Sequence, residues 1–467
     1  MGKYDCKSRR EINIGKEIRM SQMKWEKLLS RKRYGVSQPE KIEEGRSHFQ
    51  KDIDRIIFSS SFRRLNHKTQ VHPLPQNDNI HTRLPHSLEV SSVGRSLGKK
   101  VGERLREELK QIGIEPSDLG DIIQAACLAH DIGNPPFGHS GEEAIRDWFK
   151  ENSTQPFLQD LSLKQLSDFT NFEGNAQGFR IITKLEYYLL EGGMRLTYAT
   201  LGTFLKYPWT SDLLLKAGKK KYGCSQSERK ILQEIAIELG LIEQEKTAWC
   251  RHPLAYLMEA ADDICYALID LEDGIEMGFL TYEEVVEILG TIVDFDQISL
   301  FHSSCEGDDL RSRKIAIARG RAMNVLIDGV ADTFIQQKDY LLNGNFIYND
   351  LIEACGGNVQ QCIKLAKHTA QQKIFNNPRK LQLEIGAYAI VEILLDSFIK
   401  AAYAFKIHQD GEPFSFKHGR MLELMGSHKP KKSWSLYHSY MHVLDFISGM
   451  TDNHATHIAK QLRGMGE

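Results

Sequence analysis

Apolar residues recur every three or four positions along most of this chain, the spacing that places side chains on one face of an α-helix. Two such stripes consist of Val93, Leu97 and Val101, and of Ile122, Ile123, Ala126 and Cys127. The alternation of apolar and polar residues that marks half-buried strands is scarce. The sequence therefore predicts an all-α fold.

The predicted helices are separated by turns rich in glycine and proline. They span 87–101, 119–130, 227–240, 253–277, 281–292, 313–335, 379–404 and 435–449. Residues 1–50 are rich in charge and predict one peripheral helix after a poorly ordered start. A chain of 467 residues is long enough for two or three domains, or for one large body with insertions.

Charge and composition exclude several classes of protein. The 60 Lys and Arg nearly balance the 62 Asp and Glu, which excludes a polyanion-binding protein of overall basic charge but not a local basic pocket. The most apolar stretch, around 387–395, is too short to span a membrane and contains Glu392. The N-terminus lacks the apolar segment of a signal peptide, so we expect a cytoplasmic protein. The eight cysteines form no CxxC pair, so neither a disulfide framework nor a thiolate zinc site is expected.

An adjacent histidine and aspartate stand at the end of a predicted helix. His130 and Asp131 are followed at once by a Gly-Asn-Pro-Pro turn over 133–136, which stops the helix. At a helix end the two side chains can converge on one ion, and mixed nitrogen and oxygen ligation suits Zn, Mn, Fe, Ni or Mg with open positions. In the alternative reading, Asp131 caps a turn and His130 is half-buried.

Two further segments contain candidate ligands or pocket residues. His86 lies at the start of an amphipathic helix, and Asp262, Tyr266 and Asp270 share one face of a later helix at i, i+4 and i+8. Carboxylates beside an apolar stripe need partners if they are buried, because an unpaired buried charge is costly. Alternatively, they line a solvated edge and form surface salt bridges. Spacing alone does not bring His86, His130, Asp131 and Asp262 together.

Longer strings around these residues carry a family resemblance. The strings are RRLNHKTQV (63–71), HTRLPHSLEV (81–90), AHDIGNPPFGHSGE (129–142), NFEGNAQGFR (171–180), MRLTYATL (194–201) and ISGMTD (447–452). The order His, His-Asp, Asp resembles the HD-domain metal-dependent phosphohydrolases, and the strings resemble the bacterial deoxyguanosine triphosphate triphosphohydrolases (dGTPases). The resemblance implies three segments: an N-terminal helical, partly ordered segment (1–50), an HD phosphohydrolase core (51–280), and a C-terminal helical region (281–467) that completes the nucleotide pocket and the oligomer interface.

The resemblance also implies a metal site and a catalytic pair. The implied ligands of one divalent ion (Mn, Mg, or another metal such as Zn, Ni or Fe) are His86, His130, Asp131 and Asp262, with the neighbouring Asp263 facing elsewhere. His139 and Glu142 match the pair that flanks the scissile phosphate in the family. A histidine with a pKa near neutrality can protonate the 5′ oxygen or exchange a proton with the attacking water, while a carboxylate orients the imidazole ring. Without the resemblance, Glu142 is an acid in the first turn of a helix and His139 is a loop residue.

Several other residues match the substrate pocket of the family. Asp270 is expected to accept a hydrogen bond from the 3′-hydroxyl, Tyr266 to exclude a 2′-hydroxyl, and Gln70 to read the base. Asn175 is a pocket or turn residue. The candidates for binding the triphosphate, which needs several converging cations, are Arg64, Arg83, Lys206, Tyr207 and Lys221.

The function implied is hydrolysis of dGTP at the α-phosphate, giving the deoxynucleoside and inorganic triphosphate. Residues 300–435 match the family weakly, so action on other dNTPs is also open. The resemblance further implies a homo-oligomer, commonly a hexamer, and a single-stranded DNA or nucleotide effector; no membrane partner is expected. Two alternatives remain: an HD nucleotidase or phosphodiesterase acting on other nucleotides, and a nucleotide-sensing or nucleic-acid-binding module with a vestigial HD site.

Overall fold

The fold is known from a computed structural model, which describes residues 22–38, 43–70, 82–187, 192–214, 219–299, 308–375, 378–409 and 413–465. The predicted poorly ordered start lies largely outside these residues. The described part of the chain is dominated by helices, which confirms the all-α prediction. None of its helices is long and apolar enough to cross a membrane.

The α-helices are α1 (Trp25–Leu28), α2 (His48–Ile57), α3 (Ser60–Arg64), α4 (Arg83–Arg104), α5 (Arg106–Gln111), α6 (Pro116–Ala129), α7 (Gly138–Glu151), α8 (Leu163–Thr170), α9 (Gly174–Arg180), α10 (Tyr198–Phe204), α11 (Arg229–Leu239), α12 (Pro253–Glu276), α13 (Tyr282–Leu289), α14 (Phe295–Ser299), α15 (Asp308–Gln336), α16 (Lys338–Leu342), α17 (Leu351–Cys355), α18 (Gly357–Ala370), α19 (Pro378–Ile407), α20 (Phe416–Leu424), α21 (Leu436–Ser448) and α22 (Asp452–Leu462). Two strands, β1 (Glu243–Glu245) and β2 (Ala248–Trp249), form an antiparallel hairpin.

Every helix predicted from periodicity is present, with shifted ends. Helix α4 starts four residues before the predicted position 87, and Pro85 lies in its first turn. A proline is tolerated there because the first amides of a helix have no partner within the helix. The predicted peripheral helix near the N-terminus is only one turn, α1, and its Trp25 and Leu28 are buried.

Helices α4 and α6 pack antiparallel at short distance, because glycines face the contact. A Cβ atom on Gly98 would lie 2.7 Å from the Cα atom of Gly120, and one on Gly102 would lie 2.4 Å from the carbonyl oxygen of Pro116. These separations leave no room for a side chain. The close pairing brings the start of α4, with His86, beside the end of α6, with His130.

The buried apolar residues form two clusters. The first is built from α1–α6 and α9–α18 around residues such as Leu97, Ile123 and Leu257. The second combines α7 and α8 with the C-terminal helices α19–α22, around Phe149 and Tyr440. Helix α7 follows directly after the His130–Asp131 turn, so the chain passes from one cluster to the other at that turn.

Candidate active site

Most of the residues predicted to form a site line one cavity. The predicted residues in its wall are Gln70, Arg83, His86, His130, Asp131, His139, Glu142, Asn175, Lys206, Tyr207, Lys221, Asp262 and Tyr266. The sequence analysis missed four other lining residues: Asn134, Glu173, Met258 and Glu259.

Three of the predicted metal ligands share a small volume. The candidate ligand atoms of His86, His130 and Asp262 all lie within 4.8 Å of one another. The Nε2 atom of His86 is 3.2 Å from Oδ1 of Asp262, although the two residues are 176 positions apart in sequence. The Nε2 atom of His130 lies 3.6 Å from Asp262 Oδ1 and 3.6 Å from Asp131 Oδ1. The fourth predicted ligand therefore adjoins the cluster.

Local hydrogen bonds fix the orientation of two of these groups. The Nδ1 atom of His130 donates to the carbonyl oxygen of Cys127 at 2.6 Å, which leaves the lone pair of Nε2 facing the carboxylates. Asp131 accepts from Arg83 Nη1 at 2.8 Å and from Asn134 Nδ2 at 2.5 Å.

Both carboxylates of the site are ionised at neutral pH. Burial disfavours the charge of Asp131, but the charges of Arg83 and the two histidines outweigh burial and lower its pKa to about 2. The pKa of Asp262 also lies well below its usual range, because the hydrogen bond from His86 and the charges of His130 and Lys206 outweigh its burial. Imidazole nitrogens beside ionised carboxylates fit a divalent ion such as Mn, Zn, Fe or Ni, and Mg with water among its ligands.

His139 and Glu142 form a pair at the start of α7. The Nδ1 atom of His139 lies 3.1 Å from Oε2 of Glu142, whose Oε1 accepts from the amide of Gly174 at 2.7 Å. Burial opposes the charge of Glu142, but the hydrogen bond and charge of His139, with Arg146, lower its pKa below the ordinary value. A fixed, ionised carboxylate thus orients an imidazole that opens to the cavity, the arrangement that proton transfer requires.

Two acids that the sequence analysis missed, the buried Glu173 and the partly buried Glu259, lie beside basic residues of the cavity. Glu259 accepts from Arg251 Nη1 at 2.8 Å and lies 3.2 Å from Lys206 Nζ. Glu173 accepts from Asn175 Nδ2 at 2.7 Å, and its Oε1 lies 3.9 Å from Lys221 Nζ. One signal for Glu259 was available in the sequence, because it precedes Asp262 by three positions on the same helix face.

Two residues that line the cavity have buried polar atoms without hydrogen-bond partners. The Oε1 atom of Gln70 and the Nε atom of Arg83 are buried, and no described residue forms a hydrogen bond with either. Buried polar atoms of this kind are rare in folded proteins unless a ligand or water satisfies them. The ring of Tyr266 stands edge-on to that of His86, with centroids 6.3 Å apart.

Three residues considered for the site lie outside the cavity wall. Arg64 lines a second cavity with His428 and His442. Asp270 is buried one turn beyond Tyr266 and is not among the lining residues. Asp263 accepts from Lys367 Nζ at 2.6 Å and does not line the cavity. The substrate contacts expected of Arg64 and Asp270 stay predictions.

A second histidine and aspartate cluster is a weaker candidate for a metal. Ligand atoms of His428, His442 and Asp445 also lie within 4.8 Å of one another. However, both carboxylate oxygens of Asp445 accept from the buried Arg180 at 2.8 Å. Because its charge is already neutralised, Asp445 has little to offer a cation.

Comparison with known proteins provides evidence on the family of this chain that is independent of the site geometry. The family model of the HD domain matches residues 83–187. A deoxyguanosinetriphosphate triphosphohydrolase-like protein of Pseudomonas aeruginosa is 52% identical over 95% of this chain and 99% of its own. A protein of the same name in Synechocystis is 41% identical, over 95% of this chain and all of its own. A deoxyguanosinetriphosphate triphosphohydrolase of Enterobacter is 34% identical over 75% of this chain and 76% of its own. The similarity thus covers nearly the whole chain, including the region in which the sequence motifs were weak.

Proposed function

This chain belongs to the HD-domain deoxyguanosinetriphosphate triphosphohydrolase-like family, and we propose that it hydrolyses dGTP, with other dNTPs as further substrates. The proposed products are the deoxynucleoside and inorganic triphosphate. The observation that carries the proposal is that one cavity combines the His86, His130 and Asp262 cluster, the His139–Glu142 pair and several Lys and Arg side chains.

The proposed chemistry takes place at the α-phosphorus. A divalent ion held by His86, His130, Asp131 and Asp262 would polarise the α-phosphate when bound. The oxygen of a water molecule forms a bond to the phosphorus, and the bond from the phosphorus to the 5′ oxygen breaks. His139 donates a proton to that oxygen, which leaves as the 5′-hydroxyl of the nucleoside, and the proton that the attacking water loses returns the imidazole to its protonated form. Glu142 holds the imidazole ring in position.

The remaining lining residues are proposed to select the substrate. Arg83, Lys206, Tyr207 and Lys221 face the triphosphate, and Gln70 forms hydrogen bonds with the base through its unpartnered oxygen. Asn175 helps to shape the cavity by donating a hydrogen bond to Glu173, which also lines it. Tyr266 occupies the space that a 2′-hydroxyl would need, and Asp270 accepts from the 3′-hydroxyl after a small movement. Arg64 reaches the triphosphate only if its side chain leaves the second cavity.

The proposal extends to assembly, regulation and location. From the family resemblance we expect a homo-oligomer, commonly a hexamer, and a single-stranded DNA or nucleotide effector. The proposed location is the cytoplasm, which contains the dNTP substrates. Mass measurement of the intact assembly by light scattering tests the hexamer.

The central test is incubation with each of the four dNTPs and with GTP, in the presence of Mn or Mg, followed by separation of the products by ion exchange. Triphosphate and deoxyguanosine are expected from dGTP. The control is Asp131→Asn, which keeps the shape of the side chain and is expected to abolish turnover without loss of the helical circular dichroism spectrum.

The alternatives give different results in the same assay. Orthophosphate alone, or turnover of monophosphates or cyclic nucleotides, would favour the nucleotidase or phosphodiesterase. Nucleotide binding with no product from any substrate or metal would favour the vestigial sensing module. Equal rates on all four dNTPs would contradict a preference for dGTP.

A further inference from the structure

A buried aspartate near the C-terminus contacts two segments of the candidate site. Asp452 is the first residue of α22, and only 3% of its surface is exposed. Its Oδ1 accepts from the amide of Phe137 at 2.9 Å, across 315 positions of sequence. Its Oδ2 accepts from the amide of Thr69 at 3.0 Å and from the hydroxyl of the same residue. One carboxylate thus receives three hydrogen bonds from two distant segments.

Both segments lead directly into the cavity. Phe137 precedes His139 by two residues, and Thr69 is followed by Gln70. Phe137 has a φ of 64°, in the left-handed region that a bulky side chain rarely adopts. Such a conformation persists only where the surroundings hold it, and the bond from its amide to Asp452 is one such constraint.

Lys68 ties the same parts of the chain together. Its buried Nζ donates to the carbonyl oxygen of Asn134 at 2.5 Å and to that of Ser448 at 2.6 Å. The amide of Arg83 donates to the carbonyl oxygen of Lys68 at 3.1 Å. The turn after His130, the segment before Gln70 and the C-terminal helices are therefore joined by Lys68 and Asp452, which we call the C-terminal anchor.

We propose that Asp452 is a positioning residue, which holds the turn at Phe137 so that His139 faces the substrate. The proposal rests on the proposed function, because it assigns Asp452 an effect on the step in which His139 takes part. Without the bond to Asp452, the backbone at Phe137 would relax from its disfavoured conformation and His139 would be displaced. A displacement of about 1 Å at a reacting group can reduce the rate by about 100-fold. The C-terminal residues thereby contribute to catalysis without lining the cavity.

The test compares Asp452→Asn with Tyr440→Phe. An asparagine has only one acceptor oxygen, so one of the two segments loses its partner. Tyr440→Phe removes a hydrogen bond from α21 to the carbonyl oxygen of Phe157. It serves as the matched control because neither residue lines the cavity. The measurements are kcat and KM for dGTP, the melting temperature, and amide hydrogen exchange of peptides covering 133–141.

For Asp452→Asn we expect kcat to fall by about 10- to 100-fold, with a change in KM of less than about threefold. Exchange over 133–141 should become faster in this variant and remain unchanged in Tyr440→Phe. Wild-type kcat in Asp452→Asn, or an equal loss in both variants, would overturn the proposal. If Asp452→Asn does not fold, Asp452→Glu replaces it, because the longer side chain keeps the charge but displaces both acceptor oxygens. A kcat within twofold of the wild-type value, with unchanged exchange over 133–141, would then count against the proposal. Failure of the wild-type protein to release triphosphate would refute the proposed function, whereas the exchange measurement would still test the anchor.

Discussion

At the scale of single residues, the candidate site pairs an exposed histidine with a buried acid. The side chain of His139 is 77% exposed, whereas that of Glu142 is 3% exposed. The amide of Gly174 fixes the carboxylate of Glu142, which is ionised. The imidazole is thus free to exchange protons with substrate or water while its Nδ1 atom stays fixed. This contrast predicts that the histidine affects turnover more than stability.

His139→Ala is expected to lower kcat by about 10²- to 10⁴-fold, because proton transfer to the leaving oxygen is lost. The free energy of unfolding should fall by only about 1–3 kcal/mol, because the side chain of His139 is exposed but the buried Glu142 loses one hydrogen-bond partner. Steady-state kinetics and urea titration measure the two quantities. The control is Lys150→Ala, a change of an exposed residue on the same helix, which should retain wild-type kcat. Retention of wild-type kcat in His139→Ala would remove the histidine from the mechanism.

Tyr266→Ala is expected to erode discrimination against GTP more than it weakens use of dGTP. The half-buried ring lines the cavity beside His86, so its removal opens space that a 2′-hydroxyl can occupy. The measurement is the ratio of kcat/KM for dGTP to that for GTP. The ratio corrects for any loss of folded protein, because both substrates meet the same sample. A ratio equal to that of the wild type would contradict the role of Tyr266 as a sugar gate.

At the scale of elements, the helix that presents Asp262 is fixed at its start by a neutral histidine. His252 is the N-cap of α12; its Nδ1 accepts from the amide of Leu254 at 3.1 Å and its Nε2 donates to the carbonyl oxygen of Leu28 at 3.0 Å. Both bonds require one protonated and one unprotonated nitrogen. Complete burial lowers the pKa of His252 to about 4, so the ring stays neutral when the protein is folded.

This cap predicts a loss of stability in acid. In the unfolded chain the pKa of a histidine is about 6.5, so between pH 6.5 and pH 4 the unfolded state binds a proton that the folded state does not. The contribution of neutral His252 to the free energy of unfolding is complete above pH 6.5. It declines by on the order of 3 kcal/mol as the pH falls to 4. Urea titrations at several pH values should show a shallower dependence in His252→Asn than in the wild type. The exposed His457→Asn is the control, and equal pH dependence in all three proteins would contradict the prediction.

At the scale of the whole molecule, a buried ion-pair network joins the two apolar clusters. Arg180, at the end of α9, donates to both oxygens of Asp445 on α21 and to Glu228, which precedes α11. The side chains of all three residues are fully buried. Removal of any one of these three charges leaves another buried charge without a partner, which is costly in free energy.

Asp445→Ala is therefore expected to reduce the free energy of unfolding by about 3–5 kcal/mol, since it leaves Arg180 buried without one of its partners. Asp396→Ala, which breaks an exposed pair with Lys400, should change it by less than about 1 kcal/mol. Urea denaturation measures both. Equal stability of the two variants would show that the network does not hold the clusters together.

The fold class and the chemistry of the candidate ligands were predictable from sequence. Helical spacing is local, so the stripe that contains Leu97 or Leu257 is visible without any knowledge of tertiary contacts. The family resemblance, confirmed by comparison with known proteins, directed attention to His130–Asp131 and to the residues around them. The division into segments at 50 and 280 stays a prediction, and the second cluster combines α7 and α8 with the C-terminal helices across that division.

Only the tertiary structure decided which distant residues meet. His86 and Asp262 are 176 positions apart, and the partners of Asp452 are more than 300 positions away. No local pattern records such contacts, because they depend on how closely helices such as α4 and α6 pack. The same reason explains why Arg64 lies on a second cavity. Glu259 was missed for a different reason, because its position three residues before Asp262 was visible in the sequence but was not used. Periodicity specifies which face of a helix is buried, whereas close packing of whole helices determines which side chains share a site.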